Sequence, residues 1–353
     1  MRIRCICAVV TCALLAGCGG GTSNPTRVAR LSGAGSTFDG PFFSKAFALY
    51  SLVNSSATID YKPIGSSSGV QDFLRGSVDF GATDIPMDAA LLSAYPGGAD
   101  AVVQLPITLG GIVIAYNVPG LTDEYSPHRM HLRLTPDLVG RIFLGSVKSW
   151  NDPAIAALNA GVKLPSLPIT VVNRADASGT TSVFSDYLDD SSPAWKARAR
   201  RSETADVRAL AAKSNAGAAG RIMNARGTIG YIEMAYALST TMNYAAIRNR
   251  AGNFVLPSMK SVRAAAAQQP EISQTDFYID DLGGATSYPI AGYSWLIIER
   301  KNPDPVKAAA LCSFARWMLT DGQKVAPSVG YVPLPTAVAT TALAALGPCA
   351  GGS

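Results

Sequence analysis

Three stretches of the chain place Gly, Ser and Thr directly before residues with helical spacing. Gly33-Ala34-Gly35-Ser36-Thr37-Phe38 is followed by Phe43, Phe47 and Tyr50, and Gly65-Ser66-Ser67-Ser68-Gly69 by Val70, Phe73 and Leu74. Ser178-Gly179-Thr180-Thr181 precedes Val183, Phe184, Tyr187 and Leu188. A helix start carries unpaired backbone N–H groups and the positive end of the helix dipole. Glycine lets the backbone approach a ligand, and hydroxyls add neutral donors. Three such starts together suit an oxyanion, although each alone also reads as ordinary N-capping.

Two kinds of charge sharpen this reading. Arg174 ends a strand-like run just before the third cluster, with Asp176 two residues on, so its fork can reach an anion while Asp176 orients it. Asp84 closes Asp79-Phe80-Gly81-Ala82-Thr83-Asp84. A carboxylate belongs in an anion site only when the anion brings a proton for it to accept. The first cluster lacks the last Gly of a dinucleotide fingerprint, and no Gly-Lys-Ser/Thr ending of a Walker loop occurs, which excludes the common nucleotide motifs.

The elements that must hold these residues alternate between short strand-like runs and helical periods, an α/β pattern. Residues 58–64, 101–105, 111–117, 169–173, 228–232 and 293–299 read as strands, and 41–52, 70–75, 136–144, 153–159, 180–188 and 305–320 as helices. Two apolar stretches punctuated by Gly and Pro, residues 105–111 and 288–292, read as crossings between domains. The expected division is a discontinuous domain I of residues 31–107 plus 290–353 around a domain II of residues 108–289, with the ligand cleft between them.

The length of 353 residues suits two domains, and 48% hydrophobic with 16% charged residues describes a globular chain. Residues 1–17 read as a signal peptide, with Arg2 and Arg4 before a short apolar run. Leu15-Ala16-Gly17-Cys18 resembles a lipobox, which would make Cys18 the lipidated mature N-terminus and residues 18–30 a flexible tether. The reading is therefore an exported protein of the periplasm or cell envelope, held to the membrane at Cys18. Losing Arg2 and Arg4 lowers the formal charge from +5 to +3, too little to argue for nucleic acid. Export would permit a disulfide between Cys312 and Cys349, the two cysteines left beyond the leader and Cys18.

Four motifs taken together resemble, in order and spacing, the PstS family of phosphate-binding proteins of Pst-type ABC importers. They are Gly33 to Phe38, Gly65 to Val70, Asp79 to Asp84, and Arg174-Ala175-Asp176-Ala177-Ser178-Gly179-Thr180. The resemblance runs from about Leu31 to Pro335 and implies a two-domain periplasmic-binding-protein fold, type II-like, with phosphate buried between the domains. It implies phosphate contacts from Thr37, Phe38, Ser66, Asp84, Arg174, Ser178, Gly179 and Thr180, with Asp176 behind Arg174. It also implies a monomer that hands phosphate to permease subunits and uses neither cofactor nor metal. Ser68 and Ala177 depart from glycines common in the family, each close to a helix start.

Other classes fit less of this pattern. A phosphatase built on the same cage needs a base or metals, and His128 and His131 read as an isolated surface pair. A binder of sulfate or molybdate leaves Asp84 unexplained, and a phosphate-ester binder lacks an aromatic platform. An adhesin or sensor that keeps the fold remains as a third reading.

Overall fold

The computed structural model describes residues 28–121, 131–200, 207–240 and 242–348, without the side chains of residues 199 and 200. Strand and helix alternate from the start: β1 (Ala29–Gly35), α1 (Gly40–Val53), β2 (Ala57–Lys62), α2 (Ser66–Leu74) and β3 (Phe80–Thr83). Strand β1 lies parallel between β2 and β3, with Ala29 opposite Ala57 and Gly33 opposite Phe80. All three strands therefore end at one edge, and α1 and α2 begin there. In an open α/β sheet that edge is where ligands sit.

A short α3 (Ala89–Ala94) leads to β4 (Val102–Asn117), whose first fifteen residues are buried. Residues 101–105 and 111–117, expected as two strands, are one continuous strand. Pro106 is accommodated because the pairing with the neighbouring strand skips Ile107, a bulge beside the residue that has no N–H to give.

Beyond β4 come β5 (Arg133–Leu134), α4 (Pro136–Phe143), α5 (Pro153–Leu158), β6 (Thr170–Arg174), α6 (Gly179–Ser191) and α7 (Pro193–Lys196). Then follow β7 (Ala209–Ala212), α8 (Ser214–Asn224), β8 (Thr228–Glu233), α9 (Met234–Ser239), β9 (Asn243–Tyr244), β10 (Ala246–Arg248), β11 (Phe254–Val255) and α10 (Met259–Ala266). The chain returns through β12 (Ala291–Glu299), α11 (Pro305–Leu319) and α12 (Thr336–Leu346). The main sheet runs β2-β1-β3-β12-β4-β8-β6-β7, with β9 also on β4, and β11-β10-β5 form a small second sheet.

Strand β4 belongs to both halves of the main sheet. Val102 to Gly111 pair with β12, and Ile112 to Asn117 pair with β8, both antiparallel. The β12 side with α1, α2, α11 and α12 makes lobe I, and the β8 side with α6, α8 and α9 makes lobe II.

Several helices start where an acceptor side chain precedes proline. Thr135 before Pro136, Asp152 before Pro153 and Asp304 before Pro305 each accept a first-turn N–H, and proline fills a position whose own N–H has no helical partner. Helix α1 turns Phe42, Phe43, Ala46 and Tyr50 inward, and Tyr50 packs on Phe314 of α11 at 5.4 Å. Burying one such ring stabilises the fold by about 2 kcal/mol. Removing the Phe314 ring would cost about 3–5 kcal/mol through the cavity left behind. Cys312, also on α11, is disulfide-bonded. Cys349, like Cys18, lies outside the described residues.

Candidate functional site

The three clusters converge between the lobes. In lobe I, β1 reaches the cleft through Gly35, where a side chain would strike the Ala82 carbonyl at 2.0 Å, at a φ of +144° that favours glycine. That close approach of β1 to β3 brings the segment Ser36 to Asp39 against Asp84. Ser66 opens α2, and Asp84 N–H donates to its Oγ at 3.3 Å. In lobe II, Ser178 caps α6 by accepting from Thr181 N–H at 3.2 Å, and Gly179 and Thr180 form its first turn. The helices thus start where the clusters stand, with Ser68 and Ala177 in place.

Arg174, at the end of β6, points its fork into this space with its side chain 1% exposed. Asp176 holds it from Oδ1 to Nε at 2.7 Å and from Oδ2 to Nη2 at 2.5 Å. Burial alone would raise the Asp176 pKa, but these bonds and the guanidinium charge outweigh it and hold the carboxyl below its usual range. Nη2 also donates to Thr37 Oγ1 across the cleft at 3.1 Å, and Nη1 is buried with no partner among the described residues. A buried guanidinium N–H without an acceptor is costly to the protein alone.

Asp84 faces Arg174 from the other lobe. Thr180 Oγ1 donates to its Oδ2 at 3.1 Å, and Ser36 Oγ donates to Oδ1. Burial pushes its pKa up to about 6, against the lowering pull of Ser36, Thr180, Arg174 and Ser294. All the expected residues therefore meet in one place. Phe38 N–H, however, is directed at Ser36 Oγ at 2.9 Å.

Several neighbours escaped sequence reasoning. Asn215, fully buried in the first turn of α8, donates from both backbone N and Nδ2 to Thr37 Oγ1 at 3.1 Å, and from Nδ2 to Thr180 Oγ1 at 3.3 Å. Its Oδ1 accepts from Glu233 N–H at 2.9 Å. Helix α8 adds a fourth helix start to the cleft. The signal was Ser214-Asn215 ahead of a small-residue run. Tyr236 of α9 donates to the Thr37 carbonyl at 2.9 Å.

Asp39 and Glu233 are two further buried carboxyls. Burial first, then the Asp84 charge, raises Asp39 well above the usual range, and burial raises Glu233 likewise. Ser294 donates to Asp39 at 2.6 Å, and Ala235 N–H donates to Glu233 at 2.8 Å. His131, expected at the surface, is half-buried with Nδ1 2.8 Å from the Tyr244 carbonyl, because its ring packs on Tyr244. His128 lies outside the described residues.

Two α/β lobes sharing one strand, with helix starts and an arginine facing the cleft, define a periplasmic-type solute-binding protein. The family model described as a PBP superfamily domain matches residues 20–322. A phosphate-binding protein PstS of Xylella fastidiosa is 34% identical, with 94% of this chain and 93% of that protein covered. Another, of Haemophilus influenzae, is also 34% identical, covering 88% of this chain and 90% of that protein. The solved structure of PfluDING, a high-affinity periplasmic phosphate-binding protein bound with phosphate, shares the fold. Its TM-score is 0.68 at 20% identity, over 89% of this chain and 92% of that one. The chain belongs to the PstS family of phosphate-binding proteins.

Proposed function

We propose that this chain captures inorganic phosphate in the cleft and delivers it to the permease subunits of an ABC importer. The observation that carries the reading is the pairing of opposites across the cleft. Arg174 brings from lobe II a buried N–H with no partner among the described residues, and Asp84 brings a buried acceptor from lobe I. A tetrahedral anion that still carries a proton answers both at once. In this reading Arg174 binds phosphate oxygens, with Asp176 fixing the fork. Thr37, Ser66, Ser178, Gly179 and Thr180 supply hydroxyl and helix-start donors. Phe38 N–H is shared with Ser36 Oγ, and Asp84 accepts the phosphate proton.

Sulfate would meet Asp84 oxygen to oxygen, with no proton between like charges in a site that water does not screen. A site built around such a bond disfavours an analogue that lacks the proton. The test is competition calorimetry with phosphate and sulfate on wild type and Asp84→Asn. The variant should keep phosphate binding and lose much of the discrimination, since the amide offers either an oxygen or an NH₂. Sulfate still equally excluded by the variant would remove Asp84 from this role.

We read the cage as that of a binder and not of an enzyme. The relatives it resembles are named phosphate-binding proteins, and Ser178 Oγ is engaged in capping α6. We also propose that the lobes are the two domains expected from the sequence, that the protein acts as a monomer, and that it is exported and anchored by lipid at Cys18. No described helix is long and apolar enough to cross a membrane. Cys18→Ala should abolish incorporation of a palmitate analogue, and label retained by the variant would end the anchor proposal.

A further inference from the structure

Ser36 was part of the first cluster but had no role of its own. It is fully buried, and its N–H donates to the Ala82 carbonyl at 2.8 Å, which fixes it between β1 and β3. A serine hydroxyl has one proton to place. Because Phe38 N–H already donates to Ser36 Oγ at 2.9 Å, that proton goes to Asp84 Oδ1. Asp84 is thereby gripped on Oδ1 from behind, with Oδ2 left toward Thr180 and the cleft.

We propose that Ser36 is a specificity-determining residue which, by donating to Asp84 Oδ1, keeps that carboxyl an acceptor and sets the pH above which fully deprotonated tetrahedral anions are shut out. The proposal rests on the reading of Asp84 as acceptor of the phosphate proton.

The groups around Asp84 leave Ser36 much of this work. Burial raises Asp39 at the start of α1 and Glu233 at the end of β8 well above the usual carboxyl range, and it raises the hydroxyls of Tyr61 on β2 and Tyr236 on α9 above theirs. Arg174 is the one facing cation among the described residues. Burial lifts Asp84 to about 6, and of the groups that hold it down the Ser36 hydroxyl acts most strongly, ahead of Thr180 and Arg174.

Phosphate brings its own proton, whereas sulfate must bind with a proton taken up by Asp84. Sulfate affinity should therefore fall about tenfold per pH unit above the Asp84 pKa. Losing one hydrogen bond to the ionised form moves that onset upward by roughly one unit, which tightens sulfate about fivefold at pH 7 and up to about tenfold at higher pH. The same substitution frees Phe38 N–H, but that change acts on both anions alike and independently of pH.

The experiment is sulfate competition against phosphate, from mildly acidic to mildly basic pH, on the full protein and on Ser36→Ala, Ser36→Thr and Asp84→Asn. The expected result is a Ser36→Ala sulfate profile displaced to higher pH, with Ser36→Thr returned toward wild type. A Ser36→Ala profile that overlays wild type overturns the proposal. Wild type that takes sulfate as well as phosphate at every pH overturns the Asp84 reading itself. Should Ser36→Ala fail to fold, Ser36→Gly removes the same hydroxyl, and a carbon-13 titration of Asp84 in it must show the raised pKa or the proposal falls.

Discussion

The hydroxyl oxygen of Thr37 in lobe I lies 3.1 Å from both the backbone N and the Nδ2 of Asn215 in lobe II, and 3.1 Å from Arg174 Nη2 as well. Three donors crowd an oxygen with two lone pairs. A ligand oxygen beside Thr37 would relieve this by drawing Arg174 to itself, leaving Asn215 as the clasp that holds the lobes together. Asn215→Ala should weaken phosphate binding about tenfold, because the Nδ2 bonds to Thr37 and Thr180 and the Oδ1 bond from Glu233 N–H all go. The loss should appear as faster release rather than slower capture, since contacts formed after encounter act on the off-rate. Stopped-flow fluorescence would show it, and an unchanged release rate would remove Asn215 from the clasp.

Arg174→Ala should weaken phosphate binding about a hundredfold, because two charge-assisted bonds go while the helix starts remain. Arg174→Lys should recover only part, keeping charge and losing the fork. Titration calorimetry decides it, and equal affinities in all three proteins would contradict the assignment.

Gly179→Ala tests closure itself. A methyl there would stand 2.4 Å from Ser66 Oγ and 2.8 Å from Asp84 Cβ, both on the opposite lobe. In a helix the same change stabilises by up to about 1 kcal/mol. The melting temperature of the ligand-free protein should hold or rise, while phosphate affinity falls at least about tenfold. Full affinity in Gly179→Ala would mean that the lobes tolerate the wedge.

The buried carboxyls predict an unusual pH dependence of stability. Asp39, Glu233 and Asp84 all have folded pKa values above their ordinary 3.8, 4.5 and 3.8, so the folded state binds more protons than the unfolded one. Their contribution is fully present below those ordinary values and is lost as pH rises through the folded ones, which for Asp84 is about 6. Glu233→Gln should flatten this decline and raise the melting temperature most at high pH. Calorimetric scans of ligand-free protein across that range would reveal it, and parallel curves for wild type and variant would refute it.

How much of this was legible differs by residue. Helices opened by Thr135-Pro136, Asp152-Pro153 and Asp304-Pro305 were readable because capping is local chemistry. The three hydroxyl clusters, Arg174 and Asp84 were readable for the same reason. Helix α8 was not, since Ser214 to Asn224 is largely small and polar and buries mainly Ala218, Ala219 and Ile222 on the sheet. Strand β4 looked broken because Pro106 and Gly110-Gly111 are local breakers, and only pairing on both sides overrules them. The raised pKa values of Asp39 and Glu233 come from burial and neighbouring charge that only the fold brings together.

The position of β12 governs how the molecule is made. It lies between β3 and β4, pairing Trp295 with Thr83 on one side and with Pro106 on the other. The first three strands have no direct ladder to β4, although β4 follows β3 closely in the chain. The strand ladder of lobe I is therefore completed only when residues 291–299 are inserted. Pairing across some two hundred residues is slow to find. A chain threaded through a secretion channel N-terminus first would thus reach the far side before its first lobe could set. Destabilising β12 should accordingly slow maturation far more than an equal loss placed in β6.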